Sequence, residues 1–391
     1  MKRLQKTLLV CALALGLLLT VTGCNSGGNA GGNNTEPTKR TVSAPCGCTG
    51  EGAFTKSGGT ITTPWLVSTP EQLDHMREHL DAYYRLEQDI DLLDYLEGSD
   101  SGWMPIGETK TNSFIGGFDG DGHSLTGLWI NSGAEYVGFF GCTDNASISD
   151  LSIDIIATGT AVNDGSVGGL VGLNTNGAIN NCKVTGSVTG GNYVGGLAGY
   201  NDDGGAITEC YATGDVTGVG TGRNHVGGIA GWNRGVIGDC YTTGNITGVV
   251  VGGLAACNEF IIAASYSTST VEGYGIEPIV GGLAGAMIDG QVYNCYATGI
   301  ATATGEGAGV GGLVGFNDGG KIEYSYWNSD ATESGLGGSS VNAVGTPIGM
   351  TLAEMCTESF CDTLNADKGN YGTWVQDDAK QGGLPHRALR Q

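Results

Sequence analysis

Basic residues are scarce in this chain of 391 residues: 17 Lys and Arg stand against 40 Asp and Glu, a formal net charge of −23. Phosphate backbones are repelled by such a surface, which excludes nucleic acid as a partner. Proline is rare as well, at 8, and the 73 Gly follow no three-residue period, which removes collagen. Charged residues make up only 15% of the chain and hydrophobic ones 40%, too apolar a balance for a wholly disordered chain. Histidine is limited to His75, His79, His123, His225 and His386.

What is present begins with an address. Met1-Lys2-Arg3 to Lys6 is basic, and an apolar run from Thr7 to Thr22 follows. That run is short for a membrane span and right for a signal peptide. It ends in Val21-Thr22-Gly23-Cys24, which resembles the bacterial lipobox. The resemblance implies cleavage after residue 23 and an acyl (palmitate-type) anchor on Cys24. Cleavage takes three basic and no acidic residues, so lipid rather than a basic patch must hold the membrane. Residues 24–44 are rich in Gly, Asn and Thr and read as a flexible tether.

Internal repeats decide the fold class. A Val-Gly-Gly-Leu/Ile-Ala/Val-Gly block recurs at Val167, Val194, Val226, Val251, Val280 and Val310, with a degenerate copy at Val137. Seven residues into the block stands Asn174, Asn201, Asn233, Asn258 or Asn317, and Met287 interrupts this series. A second block, best seen as Ile207-Thr-Glu-Cys210-Tyr211-Ala-Thr-Gly214, follows about a dozen residues later. It sets up one column of Cys182, Cys210, Cys240, Ser265, Cys295 and Ser325. The next column holds Lys183, Tyr211, Tyr241, Tyr266, Tyr296 and Tyr326. Two short strands per unit cannot bury a face alone, whereas stacked units can.

These residues closely resemble the GLUG repeat of bacterial surface proteins, over residues 103–330. Trp103-Met-Pro-Ile-Gly107 and Phe118-Asp-Gly-Asp-Gly-His-Ser-Leu-Thr-Gly127 are similar to the segment that precedes such arrays. The resemblance implies an all-β right-handed parallel β-helix, a β-solenoid of about seven or more coils, in a surface or adhesive setting. It does not by itself imply an enzyme activity, and no cofactor is expected. Physical reasoning agrees: Gly supplies left-handed corners, and Asn can stack as a hydrogen-bonded ladder. Seven coils at ~4.8 Å make a rod of at least ~35 Å, whose open ends need covers. Thr69-Pro70-Glu71-Gln72 opens a helix with the apolar stripe Leu73, Met76, Leu80 and Tyr83. Thr351-Leu-Ala-Glu354 is a capping box that opens another, to about Leu364. Residues 45–102 and 331–391 are therefore expected to cap the two ends.

Candidate chemistry is thin. His75-Met-Arg-Glu78-His79 has the form of an inverted zinc-protease motif, but a Gly-rich solenoid follows where a mixed α/β domain is needed. It reads as a chance match on the cap helix, and no metal site is expected. Asp119-Gly-Asp121-Gly-His123 lacks the further ligands of a calcium loop and reads as a turn. The partners Cys46, Cys48, Cys356 and Cys361 would take are not assignable from spacing.

The polar residue between Ile and Cys in each unit (Asn181, Glu209, Asp239, Asn294) breaks strict alternation, so a bend leaves either Cys or Tyr inside. Cys is the more often buried, which favours reduced core thiols and an outer stripe of Tyr211, Tyr241, Tyr266, Tyr296 and Tyr326, extended by Trp327. Such a stripe binds sugar rings or proteins, or else its rings stabilise the sheet by packing on each other. The expected role is binding or adhesion to a glycan, matrix or surface protein, by a rod lipid-anchored to a bacterial membrane and facing outward. The alternatives are a carbohydrate-active β-helix enzyme and a structural envelope spacer. Asp202, Asp203, Asp215 and Asp239 offer an enzyme carboxylates, but no spacing singles out a pair.

Overall fold

The computed structural model describes residues 52–54, 56, 58–159, 165–220, 222–367, 369, 371–376 and 383–387. The signal segment, Cys24, the tether, Cys46 and Cys48 lie outside the described residues. The chain winds as a parallel β-solenoid of about eight turns. Four sheets run along it, of ten, seven, eight and fourteen strands.

The register is that of the repeats. Val167, Val194, Val226, Val251, Val280 and Val310 stack in the seven-stranded sheet. Ile179, Ile207, Ile237, Ile262, Val292 and Ile322 stack in the ten-stranded sheet. Both columns point inward and, apart from the partly buried Val310 near the C-terminal end, are at most 2% exposed. The stack reaches beyond residues 103–330 in both directions. Trp65–Val67 and Tyr83–Leu86 form its first two rungs in the ten-stranded sheet. Leu336–Ser339 and Ile348–Met350 add later ones.

The block glycines have a different job from the one expected. Gly168, Gly169 and Gly172 are not among the residues with positive φ. A Cβ on Gly168 would stand 2.2 Å from the Val171 carbonyl oxygen, and one on Gly199 would stand 2.6 Å from the Val167 nitrogen. Glycine is there because two backbones touch. Left-handed corners are taken by glycines outside the block, such as Gly186, Gly204, Gly244 and Gly319, and by the residue before each Cys or Ser of the column: Asn181, Glu209, Asp239, Ala264, Asn294 and Tyr324, with φ between 48° and 57°. The corner before the column is the bend the sequence requires, and it turns the Cys column inward.

Inside, Thr143, Asn174, Asn201, Asn233 and Asn258 form a hydrogen-bonded ladder. The Thr143 hydroxyl and then the Asn174, Asn201 and Asn233 amides each donate to the side-chain carbonyl of the next rung at 2.8–2.9 Å. At the N-terminal end α1 (Pro70–His75) is capped by Thr69, and a 3-10 turn (Met76–Glu78) continues it. Leu73 and Met76 join the core with Trp65 and Tyr84. Tyr83 does not continue the helical stripe, because it already opens a strand.

The C-terminal end departs from expectation. The single helix read from Thr351 is two, α2 (Leu352–Met355) and α3 (Glu358–Ala366), because Thr357 caps a second start through the Phe360 N–H. Neither lies over the end of the rod. Near that end Trp327 turns inward: its register partner is the inward-facing Ala297, and Gly312, Gly335 and Gly349 make room for the indole.

Candidate binding flanks

The Tyr column points outward, stacked rung on rung. Ring centroids of Tyr211, Tyr241, Tyr266 and Tyr296 are 4.6, 5.1 and 5.0 Å apart, with planes within 9°. Most of it is not available to a ligand. Tyr266 and Tyr296 are fully buried and Tyr326 is 5% exposed, because the C-terminal segment folds back along this face. Phe360 stands edge-on to Tyr296 and Tyr326, and Trp374 leans on Tyr266 and Tyr296. The Tyr296 hydroxyl donates to the Pro385 carbonyl. Asn294 donates to the Leu364 carbonyl at 2.9 Å and accepts from the Trp374 indole at 2.6 Å. Arg387, 4% exposed, closes the strap with a 2.5 Å ion pair to Asp239 while stacking on Trp374. The expected five-residue exposed stripe therefore shrinks to the half-buried pair Tyr211 and Tyr241, with Lys183 above Tyr211. Trp327 leaves the stripe altogether, since it faces the core.

The Cys column faces inward: Cys182, Cys210, Cys240 and Cys295 are at most 1% exposed, as are Ser265 and Ser325. Each thiol or hydroxyl donates to the carbonyl two residues back, for example Cys210 to Thr208 and Ser265 to Ala263. Cys210, Ser265 and Ser325 each also accept a backbone N–H from the preceding coil, that of Cys182, Cys240 and Cys295 in turn. Ser can replace Cys because both act as donor and acceptor in this geometry. Burial pushes the Cys295 thiol up to about 12 and holds Cys210 well above its ordinary value. Among the described residues the eight cysteines, Cys356 and Cys361 included, carry no disulfide.

A different flank holds the aromatic cluster that sequence reasoning missed. In the eight-stranded sheet the residue before each ladder Asn points outward, giving Cys142, Leu173, Tyr200, Trp232, Cys257, Ala286 and Phe316. In the seven-stranded sheet the residue before each Val does the same, giving Tyr136, Ser166, Tyr193, His225, Val250 and Ile279. The two columns meet. Tyr200 and Trp232 lie parallel at 6.1 Å, and Tyr193 stands edge-on to both at 5.4 Å. His225 packs on Tyr193 and Trp232 at 5.4 and 5.1 Å. Burial, with the Arg223 charge, lowers His225 to about 4, so it is neutral at pH 7.

Beside the rings runs a polar fence. The Trp232 indole donates to Glu259 at 3.0 Å. Arg234 pairs with Glu259, Asp202 and Asp203 at 3.1, 3.4 and 3.6 Å. A shallow depression lined by Lys110, Asp144, Leu173, Thr175 and Asp202 continues the same face. The signal was present in the sequence: if Asn201 and Asn233 point inward, the residues before them must point out.

The remaining candidates do not converge. His75 and His79 are 5.5 Å apart, packed against Phe54 and Trp65. Among the described residues no three His, Cys, Asp or Glu are grouped to hold a metal. Asp119 accepts from the Asp121 N–H and pairs with Arg85 in a turn with positive φ at Asp121. Asp202 and Asp203 belong to the fence, Asp215 bonds Asn245, and Asp239 holds Arg387. These carboxylates sit on different faces. No described helix is long and apolar enough to cross a membrane.

Comparison with known proteins fits this geometry. The GLUG motif model matches residues 163–189 and 190–217, the coils that contribute Asn174, Asn201, Tyr200 and Tyr211. The chain carries GLUG repeats. A protein of Evansella cellulosilytica named as a Gly-rich membrane protein is 37% identical over 137 residues, 34% of this chain and 15% of that protein. Halomucin of Haloquadratum walsbyi is 34% identical over 141 residues, 34% of this chain and 2% of its own length. The GLUG-repeat chain thus spans a small part of the curated relatives it matches. A solved structure from Bacteroides ovatus, described as an immunoglobulin A1 protease, aligns with 87% of this chain and 96% of its own. The identity is 18% and the TM-score 0.46.

Proposed function

We propose that this GLUG-repeat rod is displayed on the outside of a bacterial cell, anchored by lipid on Cys24, and works by binding or adhesion through one flank. The carrying observation is the outward cluster of Tyr193, Tyr200, His225 and Trp232, half-buried and fenced by Arg234 and its carboxylates. Contiguous outward aromatics beside organised polar groups mark recognition surfaces. The relatives' names, a membrane protein and halomucin, fit a surface setting.

Adhesion of cells displaying the full chain to surfaces coated with glycans, mucin or matrix proteins tests the role. Attachment to at least one coating, weakened when Tyr200 and Trp232 are both changed to Ser, is expected. Cells that attach no better than cells without the chain overturn the reading. A Cys24→Ser chain should appear in the medium rather than on the cells; retention of that variant removes the anchor.

A further inference from the structure

We infer that the ligand of the aromatic flank is a neutral polysaccharide lying along the rod axis over Tyr193, Tyr200 and Trp232; the inference rests on the binding role proposed above. The first argument is periodicity. Tyr193 and Tyr200 belong to one coil, and His225 and Trp232 to the next. Successive rungs of a parallel sheet stand ~4.8 Å apart, close to the length of one pyranose unit in an extended chain. A polymer of hexoses can therefore set two successive units on the two aromatic rungs, Tyr193 with Tyr200 and His225 with Trp232, which a compact ligand does not require.

The second argument is the pairing of apolar and polar groups. Ring edges and faces offer the apolar surface that the C–H faces of a sugar need. The Trp232 indole is held by Glu259, and Arg234 is held by three carboxylates, so the fence is already ordered before a ligand arrives. A sugar rich in hydroxyls can both donate to those carboxylates and accept from that guanidinium. An apolar helix laid here would desolvate the fence without replacing its water. Within the cluster the Nδ1 of His225 is buried with no hydrogen-bond partner in the described structure, and a hydroxyl inserted between the rings would satisfy it.

The third argument is charge. Asp202, Asp203 and Glu259 outnumber the one guanidinium they surround, in a chain of net charge −23. Anionic polysaccharides are repelled by that field, which leaves neutral ones.

Native gels cast with neutral polymers (a β-glucan, a mannan, a galactan) or anionic ones (pectin, hyaluronan) test this with the full-length chain in detergent. Retardation in at least one neutral gel and in neither anionic gel is expected. Trp232→Ala should weaken it at least about tenfold, with Trp232→Phe restoring most of it and Tyr211→Ala leaving it unchanged. Melting curves matching the parent show that a lost shift is not lost folding. Retardation confined to anionic gels, no retardation in any gel, or neutral retardation indifferent to Trp232→Ala, overturns the inference. Cell attachment separates the two claims. Attachment that neutral polymers fail to compete sinks the ligand class and points to a protein ligand; absent attachment sinks the binding role itself.

Discussion

Two faces of this rod carry aromatic columns, and they differ in what lies over them. On the Tyr face four rings stack in strict register, so each ring uses its faces on its neighbours and offers only an edge. Phe360 and Trp374 seat on those edges, and the chain covers its own column. On the other face Leu173, Tyr200, Trp232, Cys257, Ala286 and Phe316 succeed one another without a common shape, and the rings tilt against Tyr193 and His225. Regular repetition in a parallel stack satisfies itself. On the irregular column Leu173, Cys257 and Ala286 are buried, and the large rings of Tyr200, Trp232 and Phe316 are what keeps surface to offer.

The sharpest way to break this comparison is to truncate the same residue type on both sides of the strap's edge. Tyr296→Ala removes a fully buried ring and should cost about 3–5 kcal/mol. Tyr211→Ala, at the half-buried end of the same stack, should cost about 1 kcal/mol or less. Denaturant melts of the two variants measure the difference; equal costs would mean that stacking, not cover, stabilises the column.

Next comes the clasp. Arg387→Met removes the ion pair to Asp239 and the guanidinium stacked on Trp374, a loss of about 2–4 kcal/mol given that Asp239 keeps some solvent contact. The strap should then become a site of early proteolysis while the coils stay intact. Cleavage no faster than in the parent would show that Phe360 and Trp374 hold it alone.

The bare face has a pH signature. Burial sets His225 near 4 in the folded chain, below the ordinary value of about 6.5 in the unfolded one. As pH falls, the unfolded chain takes up this proton first, so the stability His225 permits is intact above pH 6.5 and declines towards pH 4. The decline is at most about 3 kcal/mol, since the ring retains some exposure. His225→Phe should flatten this part of the melt-against-pH curve. An unchanged slope would assign it to carboxylates elsewhere.

The sequence carried the rod itself because inward positions repeat: the Val and Ile columns, the Asn ladder and the bend before Cys are all legible from spacing. The strap was not legible. Nothing local to Phe360 or Trp374 says which of several apolar faces they seek, and a capping box fixes where a helix starts but not where it docks. Trp327 shows the limit within a single turn. Its neighbour Tyr326 shares the outward column, and one residue further on alternation sends the indole into the core. The aromatic flank was missed because its members repeat in position and not in type.

The smallest effect tests the seam between core and Tyr face. Cys210 donates to the Thr208 carbonyl and accepts the Cys182 N–H, and the chain makes the same pair of bonds with Ser265 and Ser325. Cys210→Ser should therefore change stability by less than about 1 kcal/mol, since the hydroxyl repeats both bonds with little loss of volume. Cys210→Ala leaves the Cys182 N–H buried without an acceptor and should cost about 1–3 kcal/mol. If Ala instead proves as good as Ser, the column is simple packing and its two Ser rungs carry no hydrogen-bond meaning. If Ser is clearly the better of the two, the polar bonds at this corner help to set the bend. That bend turns the next residue outward, so the Tyr face exists because the Cys column bonds inward.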